Sequence, residues 1–151
     1  MKKNILLMKT AIICGLLSFG QVATASDMYD LIQTGQRIVS LLESHDEEIV
    51  RSEYDLIHKS SPKTIYRTLS SDYTYTITGF ASSDRINDLD IVIYKKVNGE
   101  WVEETRDVES DATPVVSVKP SYTREYKIVV KAYSWKEGND VSCYGLIVSH
   151  N

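Results

Sequence analysis

The sequence predicts a mainly β protein, an antiparallel, jelly-roll-like β-sandwich preceded by an N-terminal helical segment of one long or two shorter helices. Apolar residues recur at helical spacing between Asp27 and about His58, and from Thr64 onward the period switches to two. The period-two runs are short and bounded by polar turns, and no helical crossover pattern lies between them, which argues against a βαβ arrangement.

The chain opens on Met1-Lys2-Lys3, an apolar stretch from Ile5 to Phe19 broken by Lys9, Thr10, Gly15 and Ser18, and then Ala23-Thr24-Ala25. A positive start, an apolar middle and a small-residue cleavage site form the layout of a signal peptide, so residues 1–25 are read as a cleaved leader and Ser26 as the mature N-terminus. The stretch is too short and too interrupted to be a membrane span, which takes about 20 apolar residues. Export to the periplasm or the medium is the expectation.

Helical spacing follows in Met28, Leu31, Ile32, Ile38, Val39, Leu42, Ile49, Val50, Tyr54 and Ile57, with a break near Ser44-His45-Asp46. Residues 26–61 are therefore expected to be helical and to pack on a sandwich of residues 62–151. Gly35 and the polar run around Asp46 interrupt any heptad pattern, which disfavours a coiled coil.

The strands are expected at Thr64–Leu69, Tyr73–Thr78, Leu89–Lys95, Trp101–Val102, Pro114–Val118, Tyr126–Tyr133 and Cys143–Val148. Asn98-Gly99 is the clearest turn, because a type I′ hairpin needs positive φ at both central positions.

Removing the leader takes Lys2, Lys3 and Lys9 with it and leaves 14 Lys and Arg against 21 Asp and Glu, a net charge of −7. Such a surface repels polyanions, which argues against nucleic acid as a partner. Cys14 leaves too, so Cys143 remains without an intramolecular disulfide partner, and stability must come from an ordinary core.

Several motifs then occur in order: Ile77-Thr78-Gly79-Phe80-Ala81-Ser82, Asp88-Leu89-Asp90-Ile91-Val92-Ile93-Tyr94, Asn98-Gly99, Thr113-Pro114-Val115-Val116-Ser117-Val118-Lys119-Pro120 and Tyr126-Lys127-Ile128-Val129-Val130. Over roughly residues 73–148 this set resembles the bacterial pre-peptidase C-terminal domain, with its Asp-Leu-Asp-Leu strand ending in tyrosine, its Asn-Gly or Asp-Gly turn and its Tyr-x-Ile/Val-x-Val strand. The resemblance implies a jelly-roll-like sandwich, normally non-catalytic, appended to secreted enzymes and in some members binding calcium or a polymeric substrate. This chain reads as a free-standing secreted form, so family-level function carries over poorly.

Calcium takes six to eight oxygens, and the loop Asp84-Arg85-Ile86-Asn87-Asp88-Leu89-Asp90 is the densest source of them. Asp84, Asn87, Asp88 and Asp90 are the candidate calcium ligands, against the plainer reading of Asx-turns and solvated carboxylates. Among the many aromatics, Trp135, in a polar segment, and Tyr122 and Tyr133 are the candidates for an exposed contact surface.

Catalysis finds little support. Cys143 opens a strand, whereas His45 and His58 belong to the helical region and His150 to the terminus, so a buried thiol is expected. There is no Gly-x-Ser-x-Gly elbow and no paired His/Cys spacing for zinc. The reading is an exported non-catalytic binding or structural module for a protein or polysaccharide. Alternatives are a small secreted hydrolase or enzyme inhibitor, or a calcium-stabilised envelope module.

Overall fold

The computed structural model describes residues 25–107 and 109–151, so the expected leader, Ala25 aside, lies outside the described residues. Helix α1 (Ala25–Glu43) is followed by eight strands: β1 (Glu48–His58), β2 (Lys63–Leu69), β3 (Tyr75–Ala81), β4 (Ile86–Val97), β5 (Glu100–Arg106), β6 (Val115–Val118), β7 (Arg124–Trp135) and β8 (Val141–His150).

The strands form two antiparallel four-stranded sheets, ordered β1-β8-β3-β6 and β2-β7-β4-β5. Apart from the β4–β5 hairpin, every connection between successive strands crosses from one sheet to the other. That is the double Greek key of an eight-stranded jelly roll. The sandwich expected from the period-two pattern is thus the observed architecture.

The helix stops where the sequence breaks. Asp46 has φ of 62°, its N–H donates to the Glu43 carbonyl at 3.1 Å, and the Glu47 N–H donates to the Leu42 carbonyl at 3.1 Å. These two bonds around a left-handed residue make a Schellman cap. The helical segment expected over residues 26–61 is therefore corrected: it is helix to Glu43 only, and residues 48–58 form an edge strand of the sandwich paired to β8. Two features hid that strand. Its register shifts between Ile49 and Arg51, which breaks the period, and its inward positions Glu53 and Asp55 are charged. They meet Arg67 at 2.7 Å and Lys63 at 2.6 Å on the facing edge strand β2, so ion pairs close this side of the sandwich where apolar residues would be sought.

Between the sheets lie Ile57, Ile77, Leu89, Ile91, Ile93, Ile128, Val130 and Leu146, all at most 1% exposed. Each such aliphatic side chain contributes about 1.5–3 kcal/mol on burial. A second cluster sits outside the first sheet, where Leu31 of α1 packs on Phe80, Cys143 and Ile147, with Met28, Ile38, Val39 and Leu42 beside them. The helix thus covers the outer face of β8, and β8 is buried on both faces. The outer face of β2-β7-β4-β5 carries no such cover among the described residues.

Candidate binding surface

Strand alternation brings one set of side chains to that uncovered face. β7 turns Tyr126, Ile128, Val130 and Ala132 inward, and so presents Lys127, Val129, Lys131 and Tyr133 outward. Its neighbours place Tyr66 of β2 and Tyr94 of β4 on either side of Lys127, in register with it. Trp101, the partner of Lys96 across the β4–β5 hairpin, completes the group. The hairpin turns on Asn98 (φ 52°) and Gly99 (φ 90°), as expected of that pair, and this turn fixes the register that brings Trp101 in.

Aromatic rings and ammonium groups interleave here. The Tyr66 and Trp101 ring centres are 5.6 Å apart at 44°. Lys127 Nζ stands 4.1 Å over Tyr94 and 5.4 Å from Trp101, and Lys96 Nζ 5.3 Å from Trp101. Each such cation–π contact is worth about 0.5–1 kcal/mol at an exposed site. Tyr66 is 53% exposed. Neither Tyr66 nor Trp101 is singled out by the sequence, because the two meet only across β7 and β4. The pairing of β2 with β7 is a non-local fact that no local pattern records.

The far end of the same face, about 20 Å along β7 at 3.3 Å per residue, is acidic. A hollow of about 290 Å³ is lined by Asp88, Asp90, Val92, Asp107, Glu109 and Tyr133, with Arg106 at its rim. Asp88 is 8% exposed, accepts one bond from Ser110 Oγ at 3.3 Å through Oδ2, and has no hydrogen-bond partner at Oδ1 among the described residues. Burial raises the Asp90 pKa, and the neighbouring Asp88 and Asp107 carboxylates raise it further, against opposing pulls from Lys131 and Arg106.

The four calcium candidates do not converge. Asp88 and Asp90 face this hollow, while Asn87 Nδ2 reaches Ser134 Oγ at 3.5 Å. Asp84 lines a different hollow of about 350 Å³, between α1 and the β3–β4 connection, together with Asp30, Thr34 and Ser83. Among the described residues no three His, Cys, Asp or Glu side chains gather in a way that could hold a metal ion.

The three contact candidates also separate. Tyr133 is 69% exposed at the rim of the acidic hollow. Tyr122, 70% exposed, stands in the β6–β7 connection with Arg124 5.4 Å from its ring. Trp135 is no exposed contact: it ends β7 packed against the core, its Nε1 donating to the Ala132 carbonyl at 3.2 Å. The core claims it because it still belongs to β7.

Cys143 is 1% exposed beneath α1. Burial pushes its thiol up and Asp27 adds to that, with Arg85 opposing. A nucleophilic cysteine needs the opposite shift.

No family model matches the chain, and no curated protein matches it. Among solved structures it is similar to a mitogen derived from Yersinia pseudotuberculosis, with a TM-score of 0.53 and 16% identity over 69% of this chain and 86% of that one. It is also similar to the Aeromonas hydrophila periplasmic inhibitor of g-type lysozyme PliG, with a TM-score of 0.46 and 12% identity over 67% and 85% of the two chains. At such identities the first likeness is one of fold.

Proposed function

We propose that this protein is an exported, non-catalytic binding module that engages a protein partner through the uncovered outer face of β2-β7-β4-β5. The observation that carries the reading is the cluster of Tyr66, Tyr94 and Trp101 around Lys127 on a rigid sheet. Tyrosine and tryptophan held by a framework give large contact area at little entropic cost, and such residues dominate binding hot spots.

A protein is favoured over a polysaccharide by the ring geometry. A pyranose stacks on an open, flat aromatic face, whereas Tyr66 and Trp101 are tilted by 44° and ammonium groups stand over Tyr94 and Trp101. Mixed aromatic, cationic and aliphatic character suits the side chains of another protein. The raised thiol of Cys143 lends no support to cysteine chemistry. Export rests on the leader motif of residues 1–25.

The test is capture of partners from the secreted or periplasmic proteins of the source. A partner held by the wild type, lost in the Tyr66→Ala/Trp101→Ala double variant and kept by Tyr29→Ala, whose ring is 63% exposed on α1, supports the reading. Equal capture by all three rules the face out, and retention on a polysaccharide column that depends on Trp101 replaces the protein with a glycan. A mature N-terminus at Ser26 checks export.

A further inference from the structure

The acidic hollow at the other end of this face has a feature that a merely solvated carboxylate patch lacks. Asp88 is more than nine-tenths buried, yet among the described residues its Oδ1 has no hydrogen-bond partner. A buried carboxylate oxygen without a donor is costly and calls for an explanation, and an incoming donor for which the lining of the hollow gives way supplies one. Two cations of the chain, Arg106 and Lys131, stand by the hollow, yet among the described residues the Asp88 carboxylate takes a hydrogen bond only from Ser110. Asp107 is held by the Glu109 N–H at 3.0 Å and the Val115 N–H at 3.2 Å. Arg106, which lines the hollow, is engaged by Glu103 in a bidentate pair at 2.7 and 2.6 Å. Lys131, the register partner of Asp90, has its Nζ 5.6 Å from the Tyr133 ring and makes no ion pair among the described residues.

We propose that this hollow receives the guanidinium of an arginine side chain from the protein partner, with Asp88 and Asp90 as acceptors and Tyr133 as the ring beside it. The inference rests on the reading of this face as the contact surface, with which the hollow is continuous along β7. A planar guanidinium carries five N–H donors in a fork and reaches acceptors that are spread apart. A metal ion needs its oxygens gathered around one point, and here no three carboxylates come together that way. Tyr133, 69% exposed with Lys131 Nζ 5.6 Å from its ring, lines the same hollow and offers apolar contact to the guanidinium plane.

The experiment is an NMR titration of the isotope-labelled protein with N-acetyl-arginine methylamide, with its citrulline analogue and with calcium chloride. Saturable shifts at Asp88, Asp90 and Tyr133 with a dissociation constant of about millimolar order, absent with citrulline and lost in Asp90→Asn, are expected. Asp88→Asn is the second variant, and Asp90→Asn keeps the test valid if that buried change harms folding. No saturable shift with the arginine compound overturns the proposal, and so does calcium producing the same shifts at lower concentration. Tyr66→Ala/Trp101→Ala should leave the arginine titration intact, so the hollow is read independently of the aromatic cluster. If arginine binds but Asp90→Asn captures the partner as well as wild type, instead of about tenfold less well, the hollow serves a free cation and the partner assignment falls.

Discussion

Phe80 and Gly145 face each other across the β3–β8 ladder, and the Phe80 ring occupies the space a Gly145 side chain would need: a Cβ there would stand 2.2 Å from Cζ. The same Cζ also approaches Gly35 of α1, whose added Cβ would lie 2.9 Å from it and closer still to the Tyr54 hydroxyl. Two glycines thus make room for the tip of one phenylalanine ring between sheet and helix. Gly145→Ala forces the ring off its seat, and overpacking of this kind costs about 1–3 kcal/mol. The expected result is a fall of several degrees in the melting midpoint. Gly145→Ala/Phe80→Leu should lose less than the two single changes together, since the shorter side chain relieves the clash. Additive losses would mean that the ring and the glycine are not coupled.

The β4–β5 hairpin isolates a backbone effect. Gly99 has φ of 90° and a Cβ there would meet nothing within 4 Å, so Gly99→Ala changes conformational strain without changing packing. A left-handed alanine costs about 1–2 kcal/mol. Urea unfolding should show a lower midpoint with an unchanged slope. An altered slope would point instead to a hairpin that has changed register.

These two cases divide what the sequence discloses from what it does not. Asn98-Gly99 is legible because the turn is local and its dihedrals demand those residues. The strands β4 and β7 are legible because one face of each is apolar at period two, and β5 because the Asn98-Gly99 turn leads into it. Gly35 reads as a flaw in a helical stripe, and only the fold shows that it admits Tyr54 and Phe80. Residues 48–58 imitated a helix because their inward charges pair with Arg67 and Lys63 of a strand not adjacent in the sheet. The candidate surface was half legible. The sequence singles out Tyr133, Asp88 and Asp90, but Tyr66 and Trp101 meet across two intervening strands, and strand neighbours in a jelly roll are set by topology.

The acidic hollow predicts a pH dependence with a definite sign. Asp90 has a raised pKa in the fold because of burial, and then because of Asp88 and Asp107. Between its ordinary value of 3.8 and the raised one, the folded chain holds more proton than the unfolded chain, so this group makes stability fall as pH rises through that window. Asp90→Asn removes the penalty. The variant should melt slightly higher than wild type at neutral pH and lose that advantage at a pH near 3.8 and below. A carboxylate kept at a cost to the fold while it serves recognition should show this trade. A variant that melts lower at neutral pH would instead make Asp90 a stabilising group.

Arg85 ties three segments together. Its side chain, 11% exposed, reaches Asp27 in the first turn of α1 at 2.9 Å and Asn139 in the β7–β8 connection at 3.2 Å. Its carbonyl accepts the Lys136 N–H at 3.0 Å. Loss of a half-sheltered ion pair with such partners should ease the opening of α1, and Cys143, sealed beneath the helix, reports that opening through its rate of modification by a thiol reagent. Arg85→Ala should speed labelling by about ten- to a hundredfold, equivalent to ~1.4–2.8 kcal/mol of local stability. The direction discriminates between mechanisms. Arg85 lowers the thiol pKa, so its removal alone disfavours the thiolate and would slow attack. Faster labelling can then arise only from a helix that lifts more often, while slower labelling would show that α1 is held without Arg85 and that the reagent reaches Cys143 by another route.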